Sequence, residues 1–496
     1  MLRLSWSLRS FAPRCKAALR SRWFWAVAGV TLVGLALRAF HLGSGSLWYD
    51  EAFSALAAER PFAQMLDATA YDVHPPLYYT ILWAWFRLWP DAGRPSEAWL
   101  RLPSLLFSVL AIPLTWFFAR GFKLDRRAAL LASALLAVTP FQIFYAQETR
   151  QYTLLLVVSL FTVVAWQRRW WSGVCVGLIG CMYTHNLGVI WACVFGLLAL
   201  LEDRSSWRRL LWAGFGAGLA YLPWAVRLVV QLSQWGTVGY WLPPVTPGSF
   251  AYAFHALLWT EHTPNAVALP GLSLSMSLLI LASAQPTSLL RRLFWGPPLV
   301  IAAVSILIQP IFFARGLIMV TPAFYTLIAA GLLRLDRRPR LLLGGALAGT
   351  LAVALAGFYF EPHLQKWDHR DYSTVISEGW HEDDAVLCAS KCLPFMWYLD
   401  MPVYTLPYID DRLHCVLSPG TLRALDIAEV ERPEQIAARR LWFVWTVDPS
   451  TTEYQLETRA RLDAQHPRLI DHPFIFSRLA EGTISLYNME FSWTSD

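Results

Sequence analysis

"FWAVAGVTLVGLALRAF", residues 24–40, is apolar and long enough to cross a bilayer as a helix. It runs at once into "GSLWYDEAFSALAAER", 45–60, where Asp50 and Glu51 stand side by side. The first stretch sets the class of the fold, because runs like it recur along the first 360 residues. Of 496 residues, 56% are hydrophobic and only 15% are charged, a balance that no soluble chain of this size needs. The 26 Trp and 18 Tyr suit two water–lipid boundaries, where amphipathic rings settle. A soluble protein is excluded on composition, and the net charge of +6 calls for no nucleic-acid partner.

The placement of the charge matters more than its sum. Residues 1–22 carry Arg3, Arg9, Arg14, Lys16, Arg20 and Arg22 and no acid, which places them in the cytoplasm ahead of an uncleaved anchor. About eleven transmembrane helices are expected, near 23–41, 98–120, 128–146, 150–166, 170–184, 187–201, 208–224, 266–283, 296–312, 316–333 and 341–360. The basic clusters at 123–127, 167–169, 202–209, 291–292 and 334–340 then all fall inside. "HPPLYYTILWAWFRLWP", 74–90, would reverse every later cluster if it crossed. It is therefore expected to lie in the outer interface, with Arg87 and its Trp side chains towards the headgroups.

These choices divide the chain into a basic tail (1–22), a membrane domain (23–360) with outer loops 42–97 and 225–265, and an outer C-terminal domain (361–496). The loop 225–265 contains a short helix around "FAYAFHALLW" and is expected to cover the outer face. In the C-terminal domain, strand-like stretches at 385–390, 439–447 and 483–490 alternate with a helical-looking stretch at 421–440, which suggests a small α/β domain. Cys15, Cys175, Cys181 and Cys193 read as small core residues. Cys388, Cys392 and Cys415 allow at most one bridge and do not match a zinc spacing.

The inner loops are short and basic, so chemistry belongs outside. Asp50 and Glu51 have a structural explanation, since acids favour the first turn of a helix. So do Glu148 and Arg150 as caps in the turn "YAQETRQY", 145–152, and Arg315 as a snorkelling side chain in "FFARG", 312–316. His74 opens the interfacial segment before two stiffening prolines. Together, however, these carboxylates, arginines and the histidine converge on one face at headgroup depth. A carboxylate suits removal of a proton from an attacking group, and arginine's planar fork suits phosphate oxygens. The set suggests transfer from a phospho-lipid.

The order of motifs then matters. The Asp-Glu pair after the first span, "HPPLYY", "LRLPSLLFSVL" (100–110), "PFQIFYAQETRQY" (140–152) and "ARGLIMVTPAF" (314–324) resemble the C superfamily of glycosyltransferases. More narrowly they are similar to the bacterial protein O-mannosyltransferase and aminoarabinose-transferase group (family 39-like). "KWDHRDYSTVISEGWHEDDAVL", 366–387, resembles the entry to that group's outer domain, so the likeness covers about three-quarters of the chain. The resemblance implies a bacterial inner-membrane enzyme and a polyprenyl-phosphate sugar donor. It also implies inverting transfer to an acceptor (lipid, glycan or protein) on the periplasmic side. It implies Asp50 as base with Glu51 beside it, Glu148 as second acid, and Arg150 and Arg315 near the lipid phosphate. His74 stands where aminoarabinose transferases carry Lys, and Tyr152 and His185 are further candidates. No catalytic metal is expected, although Asp50, Glu51 and Glu148 together have the oxygens a hard cation takes.

Two other readings fit parts of the sequence. A transporter or flippase of lipid-linked sugars would need a polar path, whereas the ionisable residues cluster at the ends of spans, and no internal repeat is visible. An assembly scaffold would leave the outer carboxylates and arginines without a purpose.

Overall fold

The computed structural model describes residues 21–72, 74–234, 242–260, 264–286, 288–361, 368–389, 392–406, 419–447, 453–477 and 480–489. Helix α1 (Arg22–Ala39) is the first long apolar helix. Three short helices follow, α2 (Tyr49–Glu59), α3 (Phe62–Tyr71) and α4 (Leu77–Phe86). The next helices in order are α5 (Glu97–Gly121), α6 (Arg126–Val138), α7 (Pro140–Ala146), α8 (Tyr152–Gln167), α9 (Trp171–Thr184), α10 (Asn186–Glu202) and α11 (Trp207–Gln234). Then come α12 (Pro247–Trp259), α13 (Asn265–Ser283), α14 (Ser288–Leu307), a 3-10 turn (Ala314–Val320), α15 (Thr321–Arg334) and α16 (Arg337–Phe360).

Among the described residues, seven helical segments are long and apolar enough to cross a membrane, and the bent pair α6–α7 makes an eighth. The shorter apolar helices α8, α9 and α10 complete the set of apolar runs in the sequence. Helix α4 has ten residues, a length of about 15 Å, which is half of what the hydrocarbon requires. Several boundaries differ from expectation, among them the 296–312 span, which ends at Leu307, and the 316–333 span, which opens with the 3-10 turn. Helix α14 begins at Ser288, so Arg291 and Arg292 lie in its first turns rather than in a loop. Helix α11 runs on to Gln234, so 225–234 is helix where a loop was expected.

The C-terminal domain opens with α17 (His369–Gly379) and continues through β1 (Asp384–Cys388), α18 (Leu393–Tyr398), β2 (Val403–Thr405), α19 (Pro419–Ala424) and β3 (Ala428–Glu429). It closes with β4 (Arg440–Val447), α20 (Glu453–Gln465), β5 (Arg468–Ser477) and β6 (Ala480–Asn488). The sheet order is β3-β2-β1-β4-β6-β5. Strands β1 to β4 pair parallel, with Ala385 opposite Leu441, and β6 runs antiparallel to both β4 and β5. The helix expected over 421–440 is corrected: it ends at Ala424, because an edge strand and the turn at Pro433 take over. Cys388 and Cys392 are both buried and not bridged to each other, while Cys15 and Cys415 lie outside the described residues.

Strand β4 shows why the domain sits where it does. Its alternate residues point to opposite faces. Leu441, Phe443 and Trp445 join Leu462 of α20 in one apolar cluster. Trp442 and Val444 join a second cluster that also holds Phe53 of α2, Met65 of α3 and Tyr78 and Tyr79 of α4. The three short helices are thus packed between the membrane bundle and the sheet.

One buried arginine holds the bundle at its break. Pro140 has no N–H, so the Leu136 carbonyl loses its helical partner, and α7 leaves the α6 axis at 55°. Arg38, fully buried at the end of α1, donates from Nη2 to Leu136 O (2.9 Å) and from Nη1 to Ala137 O (2.7 Å). Its Nε reaches Ser108 Oγ of α5 at 2.8 Å. The guanidinium replaces the missing N–H donors and joins three helices. Arg38→Met is expected to cost about 3 kcal/mol, because the freed carbonyls stay buried without donors. Thermal unfolding in detergent should show the loss, and Arg38→Lys should recover only part of it, lacking the planar fork.

Candidate active site

Asp50 and Glu51 lie in the first turn of α2, where the helix dipole favours acids. The two carboxylates face different surroundings. Glu51 is fully buried and meets Arg101 of α5 fork to fork, Nε–Oε1 and Nη2–Oε2 both at 2.9 Å. Its Oε1 also accepts the Thr149 N–H at 2.8 Å. Glu51 was expected as a partner of Asp50 in the chemistry. In this arrangement it ties α2 to α5 and to the turn between α7 and α8. Arg101 spends its other donors on the carbonyls of Leu42, Gly45 and Ser46.

That tie brings the turn 147–151 beside Asp50. Arg150, in the turn, is nearly buried and donates from Nη1 to Tyr79 Oη (3.0 Å), Asp50 O (3.2 Å) and Ser54 Oγ (3.4 Å). Its Nη2 lies 2.7 Å from His74 Nε2 and 3.8 Å from Asp50 Oδ2. As the arginine must be the donor, His74 Nε2 is the acceptor and the ring carries its proton on Nδ1. Burial works against the Arg150 charge, but the neighbouring Tyr79 and Asp50 hold it more firmly protonated than an ordinary arginine. Arg315 arrives from the 3-10 turn with Nη2 at 4.0 Å from Asp50 Oδ2. Its guanidinium stands 5.9 Å from the rings of Trp48 and Tyr152 and 5.5 Å from Phe313.

The remaining candidates surround this centre. The His185 ring lies 5.9 Å from Tyr152 and 6.3 Å from both His74 and Phe313. Its Nδ1 accepts the Leu187 N–H at 3.0 Å and so caps α10, which fixes the proton on Nε2. Burial and the charges of Arg150 and Arg315 push its pKa down to about 3, so it is a neutral donor at every physiological pH. Glu148, itself in the turn, is buried, with Tyr78 and Tyr152 in its electrostatic surroundings. Asp50, Arg150, Arg315, His74, Tyr152 and His185 therefore come together, and Glu51 turns to Arg101. Among the described residues, no group of three His, Cys, Asp or Glu is arranged to hold a metal ion.

Two residues of this site were not singled out in the sequence. Arg101 is one charge in an apolar run and gives no local sign of its partner. Asp72, two positions before His74, ends α3 with Oδ2 at 3.6 Å from His74 Nε2. Burial pushes its carboxyl up to about 7, with Arg150 opposing and Asp50 adding to the rise. The folded chain thus keeps a proton that the unfolded chain releases near pH 4. Its stabilising contribution is full below that point and is lost as the pH rises through about 7. Thermal unfolding of Asp72→Asn should lack this slope. The difference from the intact protein between pH 4 and 8 should be on the order of 2 kcal/mol, allowing for the side chain's 28% exposure.

No protein-family model matches the chain, and no curated protein sequence matches it. Its fold does match solved structures. The apo structure of ArnT from Cupriavidus metallidurans superposes with a TM-score of 0.59 at 14% identity, covering 92% of this chain and 97% of that one. The same enzyme bound to undecaprenyl phosphate gives 0.57 at 14% identity, over 94% and 98%. A weaker likeness, TM-score 0.48 at 10% identity over 86% and 69%, is to an Archaeoglobus fulgidus oligosaccharyltransferase tethered to an acceptor peptide. The chain therefore has the fold of ArnT along nearly its whole length.

Proposed function

We propose that this protein is a membrane glycosyltransferase that moves a sugar from a polyprenyl-phosphate donor to an acceptor on the membrane face bearing the C-terminal domain. That face is periplasmic in this reading, with the N-terminus in the cytoplasm, because the basic clusters of the sequence then all lie inside. The observation that carries the reading is the meeting of Asp50 with Arg150 and Arg315, from three separate elements, at 3.8 and 4.0 Å. Both arginines face the carboxylate at ion-pair rather than hydrogen-bond distance. A phosphate oxygen entering beside Asp50 leaves Arg150 its contacts to Tyr79 and His74. The fold of an enzyme solved with undecaprenyl phosphate supports a lipid phosphate as the leaving group.

The transfer is a single displacement. An acceptor oxygen or nitrogen attacks the anomeric carbon and its proton passes to Asp50. The bond from that carbon to the phosphate oxygen breaks, the electron pair stays on the phosphate, and the configuration inverts. Arg150 and Arg315 stabilise the charge that grows there, and the neutral Nε2–H of His185 adds a donor that does not titrate. The arginines supply the positive charge that a divalent ion supplies at diphosphate donors, so this chemistry is proposed to be metal-independent. Glu51, with its oxygens on Arg101 and Thr149, is not set out as a cation ligand.

The test is transfer of labelled sugar from a panel of polyprenyl-phosphate sugars into membrane extracts. Asp50→Asn is expected to lose at least 100-fold in rate, and Arg315→Gln 10- to 100-fold. Full activity in the Asn variant removes Asp50 as the base. No label from any donor, with lipid-linked sugar instead changing sides in vesicles, overturns the transferase in favour of a flippase.

A further inference from the structure

The strand of chain leading into Asp50, "LGSGSLW" (42–48), has two glycines, and Trp48 at the head of α2 makes no side-chain cap. Something else must hold it. The membrane domain holds its carbonyls, through Arg101 on Leu42, Gly45 and Ser46. The C-terminal domain holds much of the rest. Leu47, fully buried, donates its N–H to Tyr398 Oη at 2.7 Å, and Ser46 Oγ accepts the His369 N–H at 2.9 Å. Arg370 Nη2 reaches Ser44 O at 3.2 Å. Without Tyr398 the Leu47 N–H would be a buried donor with no acceptor, which is costly.

The same short helix, α18, grips the other end of α2. Arg94 meets Glu59, the last residue of α2, with Nε–Oε1 at 2.9 Å and Nη2–Oε2 at 3.1 Å. Its Nη1 donates to the carbonyls of Met396 (2.9 Å) and Trp397 (2.6 Å). Tyr398 is braced in turn: its hydroxyl donates to Glu97 Oε1 at 2.9 Å, which also accepts from Arg370 Nη1 at 3.0 Å. Asp50 sits between these two grips, three residues beyond Leu47. Arg150 and Arg315 belong to other elements, the turn 147–151 and the 3-10 turn.

We propose that the C-terminal domain builds the active site from outside the membrane, with Tyr398 as a positioning residue that sets Asp50 through the Leu47 N–H. The domain is then part of the catalytic frame, independent of any acceptor it selects. The structural half of this proposal stands on the hydrogen bonds alone. Its kinetic half rests on the transferase reading.

The experiment uses the full chain in detergent with Tyr398→Phe, which removes only the hydroxyl. Amide hydrogen exchange over 44–52 is expected to rise about tenfold while protection in α5 and α15 is unchanged. Turnover is expected to fall about tenfold. The donor concentration for half-maximal rate should stay within twofold, since the phosphate-facing arginines are not disturbed. Glu97→Gln keeps an oxygen for the Tyr398 hydroxyl and should retain most of both properties. Unchanged exchange over 44–52 in Tyr398→Phe overturns the proposal, as does a loss of rate that appears wholly in the half-saturating donor concentration. If the phenylalanine variant does not fold, exchange at wild-type level over 44–52 in Glu97→Ala, which unbraces Tyr398, overturns it equally. Should the intact protein transfer no sugar, the exchange measurement still decides the positioning, and the transferase reading alone falls.

Discussion

The Glu51–Arg101 pair is the contact on which the rest of the site depends. Both side chains are buried, so each charge gives up its hydration, a penalty that a bare ion pair rarely recovers. Here every strong donor is used. The guanidinium reaches three loop carbonyls beside the carboxylate, and the carboxylate takes a backbone N–H as well. The result fixes four pieces of chain against one another: the loop before α2, α2 itself, the start of α5 and the turn 147–151. Removing either partner would leave the other charge buried. The adjacent Asp50 inherits its place from this cluster, because Glu51 holds the first turn of α2 to Arg101 and to the turn 147–151.

Around that cluster, charge is handled by two different rules. At the end of α1, Arg38 has neutral partners: the carbonyls of Leu136 and Ala137 at the proline break, the Gly34 carbonyl of its own helix and Ser108. Near the end that bears the C-terminal domain, arginines meet carboxylates, and the site mixes fixed and exchangeable contacts. Arg150 is locked by Tyr79 and His74, whereas its approach to Asp50 is long and open to replacement. Arg315 stands among the rings of Trp48, Tyr152 and Phe313, and its approach to Asp50 is likewise long. A site that must take in a phosphate and let it go is well served by that difference.

The apolar cluster joining α2, α3 and α4 to the sheet makes the short helices an interlayer rather than a decorated loop. Helix α4 accommodates its aromatic composition because Tyr78, Tyr79 and Leu82 are buried in this cluster, and Trp83, packed against it, carries Arg87 stacked at 3.8 Å. The sheet contributes its inner face to the same core, and its outer face is closed by α20. The domain is thereby joined to the membrane part by packing as well as by the polar contacts of Tyr398 and Arg94.

The sequence alone determined what depends on length and local composition. Apolar runs stand out because lipid leaves the backbone no other partners, and their order survives in the structure, up to eight at spanning length and three shorter among the described residues. The strands at β1, β4 and β6 were legible as central, apolar segments. Strands β2 and β3 are too short to announce themselves, and β5, an edge strand, contains Pro473. The candidate residues Asp50, His74, Arg150 and Arg315 were legible because charges at the ends of apolar runs are few. Only the tertiary structure decided which of them meet. It separated Asp50 from its neighbour Glu51, found Arg101 fifty residues away and Arg38 beside a proline break, and put Asp72 and Tyr398 at the site. The physical reason is the same in each case: a buried charge is defined by the partners that repay its desolvation, and those partners lie far away along the chain.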